Sequence, residues 1–346
     1  MALGWYWTGA LLCVFVAVLA ADIMGLFKSQ NQFPVEGRTV VVTGGSQGMG
    51  KSVAILLAQK GANVVIVART AKTLEAAIQE ISAAAKSPSS QRFRHISADL
   101  TSPSAGAQII AETTSWNNNR PPDIVWNCAG SAHPGLFIDT PIEVLKSQID
   151  TNYLSTAYLA HAALRAWLHP ALKSTSSQSS AEPRHLIFTS SIAAFYPIIG
   201  YSAYSPSKIA VRALSDTLSQ ELQLYPASTP VRTHTIYPGT IFTAGLESEN
   251  LLKPRITKSL EESDGGQTPE EVAAASLKGL ERGEESVVTA WLGMAMRAAS
   301  LGSSKRNGWG ILDTIMSWIV SVVMVVVRRD MDGKVRKWGK VHGTEG

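Results

Sequence analysis

The stretch from Arg38 to Ser52 limits the fold more than any other. A β-branched run, Arg38–Val42, is followed at once by Thr43-Gly44-Gly45-Ser46-Gln47-Gly48-Met49-Gly50-Lys51-Ser52. A short run that is apolar on both faces reads as the central strand of a parallel sheet. Glycines in the turn after it let the backbone approach a phosphate at the N-terminus of the next helix, where free N–H groups and the dipole favour an anion. Two motifs fit this turn. Gly45-x4-Gly50-Lys51-Ser52 matches the signature of phosphate-binding NTPases, and Thr43-Gly44-x3-Gly48-x-Gly50 suits a dinucleotide.

Residues further along separate the two. An NTPase needs an acidic residue at the end of an apolar strand to hold magnesium. Asp99, after the weakly apolar Phe93–Ala98, is the best candidate. A dinucleotide enzyme needs a group at the end of the second strand to read the ribose, and Arg69 stands there. Arginine suits the 2′-phosphate of NADP, as an acidic residue suits the free hydroxyl of NAD.

Strand patterns recur at Asn63–Ala68, Phe93–Ala98, Asp123–Trp126, Arg184–Thr189, Val231–Tyr237 and Glu285–Thr289. Helical patterns fall between them, at about 50–60, 71–84, 141–168, 204–224 and 268–281. That alternation predicts a doubly wound parallel α/β sheet of about seven strands. Ser-rich Lys86–Gln91 and Lys173–Glu182 read as surface loops.

A second chemical constellation follows the fifth strand. Ser191 precedes Tyr204 by thirteen residues, and Lys208 lies four beyond it. Residues four apart share a helix face, so phenol and ammonium adjoin. Pro206 between them is tolerated in a helix's first turn, where its missing N–H has no partner to lose. A hydroxyl, a phenol and a cation together suit proton transfer to a carbonyl. Tyr153, Tyr201 and Tyr237 have no lysine four residues on and read as packing residues.

These motifs, with Asn127-Cys128-Ala129-Gly130, Asp150-Thr-Asn152-Tyr and Pro238-Gly239, resemble the short-chain dehydrogenase/reductase family, across about residues 37–289. Cys128 departs mildly from the family's usual asparagine or alanine. The resemblance implies a Rossmann fold and an NADPH-dependent reductase. It implies that Tyr204 protonates the substrate oxygen, with its pKa lowered by about three units, or roughly 4 kcal/mol, to work near neutral pH. Lys208 would assist it and hold the nicotinamide ribose. Ser191 would bind the substrate oxygen, and Asn152 would position a water. The cofactor would lie along Thr43, Gly44, Ser46, Gln47, Gly48 and Gly50. Ser46 and Arg69 would meet its 2′-phosphate, and Asp99 and Leu100 its adenine. Asn127, Ala129 and Gly130 would line the path to the nicotinamide, and Pro238, Gly239 and Thr243 would approach its carboxamide. Lys51 and Lys72 are open between phosphate contact and solvated surface. Ile241–Lys258 sits at the family's substrate lid, with Ile241, Phe242, Leu246, Leu251 and Leu252 available to an acyl chain.

Regions outside this domain carry a different message. Gly4–Phe27 holds one charge, Asp22, and would run roughly 36 Å as a helix, enough to cross a hydrocarbon core. Trp5, Tyr6 and Trp7 suit a membrane interface. Residues 1–27 therefore read as an anchor; the alternative is a signal peptide cleaved near Val18-Leu19-Ala20. Lys28–Gly37 reads as a polar linker. Trp291–Leu301 is amphipathic, and Ile311–Val327 is nearly uniformly apolar until Arg328-Arg329 stop it. Seventeen residues is short for a span, which leaves a re-entrant or surface-lying helix, or a helix buried at the interface of a homo-oligomer. Six of the nine tryptophans lie outside residues 36–285, a distribution suited to a membrane interface.

Charge and cysteine content set limits on function. The net charge is +4, and six Lys/Arg against three Asp/Glu in the tail, residues 328–346, supply +3 of it. That leaves little basis for nucleic-acid binding. Two cysteines, Cys13 and Cys128, offer no disulfide framework, and seven scattered histidines show no metal spacing. The combined expectation is reduction of a ketone borne by a long-chain lipid, at the endoplasmic reticulum membrane, with the catalytic domain facing the cytoplasm. Membrane-bound reduction of a 3-ketoacyl-CoA, a steroid or retinal is the alternative, followed by an NTPase or a non-catalytic scaffold.

Overall fold

A computed structural model describes residues 30–169, 182–225, 230–262, 265–308 and 310–343. The expected anchor, residues 1–27, lies outside the described residues, as does most of the Lys173–Glu182 loop. Seven parallel strands form one sheet: β1 (Thr39–Thr43), β2 (Asn63–Ala68), β3 (Phe93–Ser97), β4 (Ile124–Asn127), β5 (Arg184–Thr189), β6 (Val231–Tyr237) and β7 (Ser286–Val288). Their order is β3-β2-β1-β4-β5-β6-β7. Successive side chains of a strand point to opposite faces, so each strand feeds two cores. Val40 and Val42 pack on one face with α1 (Gly48–Gln59) and α2 (Ala71–Ala83). Val41 packs on the other with α3 (Ala105–Trp116). Burial on both faces is why these strands read as unbroken Val/Ile runs.

α4 (Ile142–Ile149) and α5 (Ser155–Leu168) occupy the expected 141–168 helix, but Asp150–Leu154 between them forms a π turn. Such bulges commonly occur at functional sites, and this one carries Asn152. α6 (Tyr204–Glu221) follows β5, and α7 (Ala244–Leu252) and α8 (Arg255–Glu261) form the lid region after β6. α9 (Pro269–Glu281) starts with a capping box: the Thr268 side chain accepts from Glu271 N, and Glu271 accepts from Thr268 N. Pro269 at its first position is preset for the helix.

Three differences from the sequence reading have local causes. α3 lacks an evident sequence pattern because Gln108, Glu112 and Thr113–Ser115 dilute its apolar stripe. Within the expected linker, Phe33 and Val35 are buried in the core, and Gln32 N donates to Glu281 O at 2.9 Å. Residues 30–37 are therefore a packed part of the domain. Beyond α10 (Trp291–Ala299), α11 runs from Ile311 to His342 and does not stop at Arg328-Arg329. Those arginines end the apolar run, but Arg328–Asp332 and Asp330–Lys334 ion pairs, each four residues apart, carry the helix onward.

α11 is about 48 Å long. It is the one helix among the described residues long and apolar enough to cross a membrane. It is not a core helix: Trp318, Ile319, Val322, Val323, Val325 and Val326 are exposed. Its start is tied to α10 by a buried ion pair, Arg297 Nη1 to Asp313 Oδ1 at 3.0 Å and Nη2 to Oδ2 at 2.5 Å.

Candidate active site

Strand order reverses between β1 and β4, and the C-terminal ends of strands at such a switch point open a crevice. A cleft of about 690 Å³ lies there, within the usual range for a ligand site. Gly44, Ser46, Gln47, Gly48, Gly50, Arg69, Asp99, Leu100, Ala129, Gly130 and Thr243 all border it.

The glycines are dictated by close approach. Gly44 and Gly48 have φ of +65° and +53°, and a Cβ on Gly50 would lie 2.4 Å from Gly44 O. Only glycine fits a turn this tight. Thr43 sits behind the loop, its Oγ1 accepting from Cys128 N and Ala129 N at 3.1 Å each. It ties the end of β1 to that of β4. Asn127 is also buried behind the cleft, its amide donating to Ile187 O at 3.2 Å. Thr243 caps α7 by accepting from Leu246 N, and its Cγ2 stands close to Gly48.

Lys51 and Ser52 are engaged elsewhere. Lys51 Nζ pairs with Glu80 at 2.9 Å, and Ser52 Oγ donates to Glu270 at 2.9 Å. Arg69 is exposed at the end of β2, beside Asp99. Asp99 is held below the usual carboxylate range, first by its hydrogen bonds from Thr101 N and Oγ1.

The reacting groups lie beyond Gly130 and Ser131, which border the cleft. Tyr204 begins α6, so Pro206 falls in the first turn, where helix N–H groups are unpaired. Lys208 Nζ lies 5.7 Å from the Tyr204 ring centroid and donates to Thr189 O at 3.1 Å. Ser191 and Ser190 divide the labour. Ser191 hydrogen-bonds the Tyr204 hydroxyl, whereas Ser190 is buried and donates to Lys208 O at 2.8 Å, fixing the helix start. Pro238 O accepts from Ile192 N at 3.0 Å, which sets Pro238-Gly239 against the Ser191 turn. Asn152 is 1% exposed; its amide donates to Ser131 O and Ser207 Oγ, and its Oδ1 accepts from Ser131 N. A Cβ on Gly130 would meet both Asn152 Oδ1, at 2.8 Å, and Lys208 Nζ, at 3.1 Å. These contacts place Asn152, Gly130 and Lys208 together.

The lowering expected for Tyr204 requires Lys208 and the positively charged nicotinamide together. Burial by itself pushes the phenol up to about 12, against the pull of its Ser191 bond, and so holds it protonated, the state a proton donor requires. Burial also lowers Lys208 to about 8 and raises the neighbouring Cys128 thiol to about 12. Cys128 is thus a neutral packing group, its Sγ 3.8 Å from Thr189 Oγ1.

Sequence reasoning missed Thr189 O and Ser207, since a carbonyl acceptor has no sequence signature and Ser207 reads as helix filler. It also read Tyr201 as mere packing. Tyr201 does pack near Tyr204, their tilted rings 5.9 Å apart between centroids, but its hydroxyl donates to Glu249 of the lid at 2.5 Å.

Residues 38–252 match the family described as short chain dehydrogenase. The chain belongs to that family and is an oxidoreductase with a nicotinamide-cofactor fold. It is 47% identical over 344 residues to a 3-ketodihydrosphingosine reductase of Aspergillus fumigatus, covering 96% of this chain and 92% of that one. It is 43% identical over 338 residues to a 3-ketodihydrosphingosine reductase of Neurospora crassa, covering 97% and 92%. A solved short-chain type dehydrogenase/reductase from Mycobacterium ulcerans superposes with a TM-score of 0.60 at 26% identity, over 74% of this chain and 89% of that one.

Proposed function

We propose that the chain uses NADPH to reduce the 3-keto group of 3-ketodihydrosphingosine (3-ketosphinganine), giving the 3-hydroxy sphingoid base sphinganine. The observation that carries this reading is similarity extending over 96% of the chain to a reductase of that name. It reaches beyond the catalytic domain into the flanking segments, where a generic member of the family would have no reason to match.

The residues fit the cofactor. The Gly44–Gly50 turn borders the cleft with glycine backbone that a phosphate can approach, and Arg69 offers an exposed planar cation at the position that reads the ribose. A nicotinamide held there would supply the hydride that the ketone carbon needs. Tyr204, held neutral, donates its proton to the ketone oxygen, so that hydride and proton together give the alcohol. Ser191 donates a hydrogen bond to that oxygen as charge develops there. Lys208, a cation below about pH 8, stabilises the tyrosinate left behind. Asn152 holds Ser131 and Ser207 around this group and sits where a water could return the proton. The exposed Phe242, Leu251 and Leu252 of the lid region give the alkyl chain an apolar border. The exposed apolar half of α11 supports attachment to a membrane, and the sphingoid-ketone reading implies that of the endoplasmic reticulum, with the catalytic domain on the cytoplasmic side.

Purified full-length protein should oxidise NADPH, followed by the loss of the reduced nicotinamide's absorbance, when given 3-ketodihydrosphingosine. It should leave a 3-ketoacyl-CoA of equal chain length untouched. The opposite preference would refute the assignment.

A further inference from the structure

The two lid helices close on the catalytic segment through a buried polar knot. Tyr201 donates to Glu249 Oε1 at 2.5 Å, and Lys253 Nζ stands 3.3 Å from the same oxygen. Lys253 also pairs with Glu261 Oε2 at 2.7 Å, with its side chain only 5% exposed. Thr257 of α8 donates to Ile199 O at 3.0 Å and holds this lid over the loop before Tyr204.

Charge does not balance in the knot. Burial, then Glu249, holds the Tyr201 phenol far above its usual range, so it is neutral. Two carboxylates therefore face one ammonium, leaving a net charge of about −1. The surplus sits at the edge of the knot nearest the chemistry. The Tyr201 bond of Glu249 and its nearest approach to Lys253 both fall on Oε1. Glu249 is also the carboxylate whose charge reaches Tyr204, where it opposes ionisation of the phenol. Surplus carboxylate charge beside a proton donor hinders that donor unless a cation neutralises it in the complex.

The substrate proposed above carries such a cation. An α-amino ketone has its ammonium on the carbon next to the carbonyl, so a group that grips it must stand within a side chain's length of the residue protonating the oxygen. We infer that Glu249 Oε2 receives the 2-ammonium of the substrate and is a specificity-determining residue for α-amino ketones. This rests on the sphingoid-ketone reading and adds to it a reason why that ketone is chosen over uncharged long-chain ketones. Binding the ammonium also removes the charge that opposes Tyr204, so the right substrate improves its own proton donor.

Wild type, Glu249→Gln and Glu261→Gln, each as full-length protein with NADPH, should be assayed on 3-ketodihydrosphingosine and on the same ketone with hydrogen in place of the amino group. Glutamine at 249 keeps the acceptor for Tyr201 and loses only the charge. Wild type should prefer the amino ketone. Glu249→Gln should lower its kcat/KM by about ten- to a hundredfold, the range for a hydrogen bond to a charged group, and should hold or raise that of the desamino ketone, for which a charge opposing Tyr204 is gone. Glu261→Gln, which shares Lys253 but is not among the charges that act on Tyr204, should retain the preference. Equal loss on both ketones in Glu249→Gln would make the residue merely structural and overturn the inference, as would a wild type indifferent to the amino group. Turnover of neither ketone by wild type would instead refute the sphingoid-ketone reading itself.

Discussion

Gly130 and Gly239 both border the reacting groups, yet the structure gives them opposite tolerances. A methyl group on Gly130 would lie 2.8 Å from Asn152 Oδ1 and 3.1 Å from Lys208 Nζ. A comfortable carbon–oxygen separation is about 3.3–3.6 Å, so roughly half an ångström must be found. Asn152 cannot supply it cheaply, since its side chain is bonded on both ends to Ser131 and again to Ser207. The displacement therefore passes to Lys208 or to the turn itself. Half an ångström is about the tolerance of a catalytic constellation, and a 1 Å error costs about a hundredfold. Gly130→Ala should therefore lose about ten- to a hundredfold in kcat, with overpacking of about 1–3 kcal/mol lowering Tm. A methyl on Gly239 meets only Ile192 Cδ1, at 3.6 Å, an ordinary contact. Gly239→Ala should stay within about twofold of wild type. The assay is steady-state NADPH oxidation on the folded variants, with thermal unfolding measured beside it. Equal rates in the two variants, or the reverse order, would show that Lys208 and Asn152 do not act from the positions described.

Arg69→Asp should cut kcat/KM for NADPH by at least about a hundredfold, from lost charge-assisted bonds to the 2′-phosphate, while NADH use changes little; equal losses would remove Arg69 from the cofactor site. The pH profile follows from Lys208. It is charged below about 8 and neutral above, while Tyr204, up at about 12, stays protonated across that limb. kcat/KM should be level below about pH 8 and fall about tenfold per unit above it, and Lys208→Met should lose that limb along with most of the rate. A flat wild-type profile to about pH 9.5 would contradict a charged Lys208 in the reaction. Asp313→Asn leaves the Arg297 guanidinium buried without its carboxylate, a loss of about 3–5 kcal/mol, to be read from denaturant unfolding; no change in midpoint would mean that the α10–α11 tie does not hold the fold.

Local chemistry made much of the site legible. A turn that places backbone against phosphate admits only glycine, so Thr43–Gly50 announces itself. Tyr204 and Lys208 need one helix face and show it by their spacing of four. What escaped detection depends on residues brought together from afar. Lys208 finds Thr189 O, Asn152 finds Ser131 and Ser207, and Tyr201 finds Glu249 across 48 positions. α3 escaped for a different reason, since its apolar stripe is too diluted to stand out.

The amino-acid order by itself determined the βα alternation, the dinucleotide turn and the Ser191–Tyr204–Lys208 set, because each follows from the period or conformation that one short segment must adopt. Only the tertiary structure decided the proton-holding state of Tyr204 and the surplus charge of Glu249. Those depend on how much water the folded chain excludes and on which charges it encloses, and both are properties of packing between segments. It also decided that α11 continues past its double arginine, where ion pairs one turn apart outweigh the end of the apolar run.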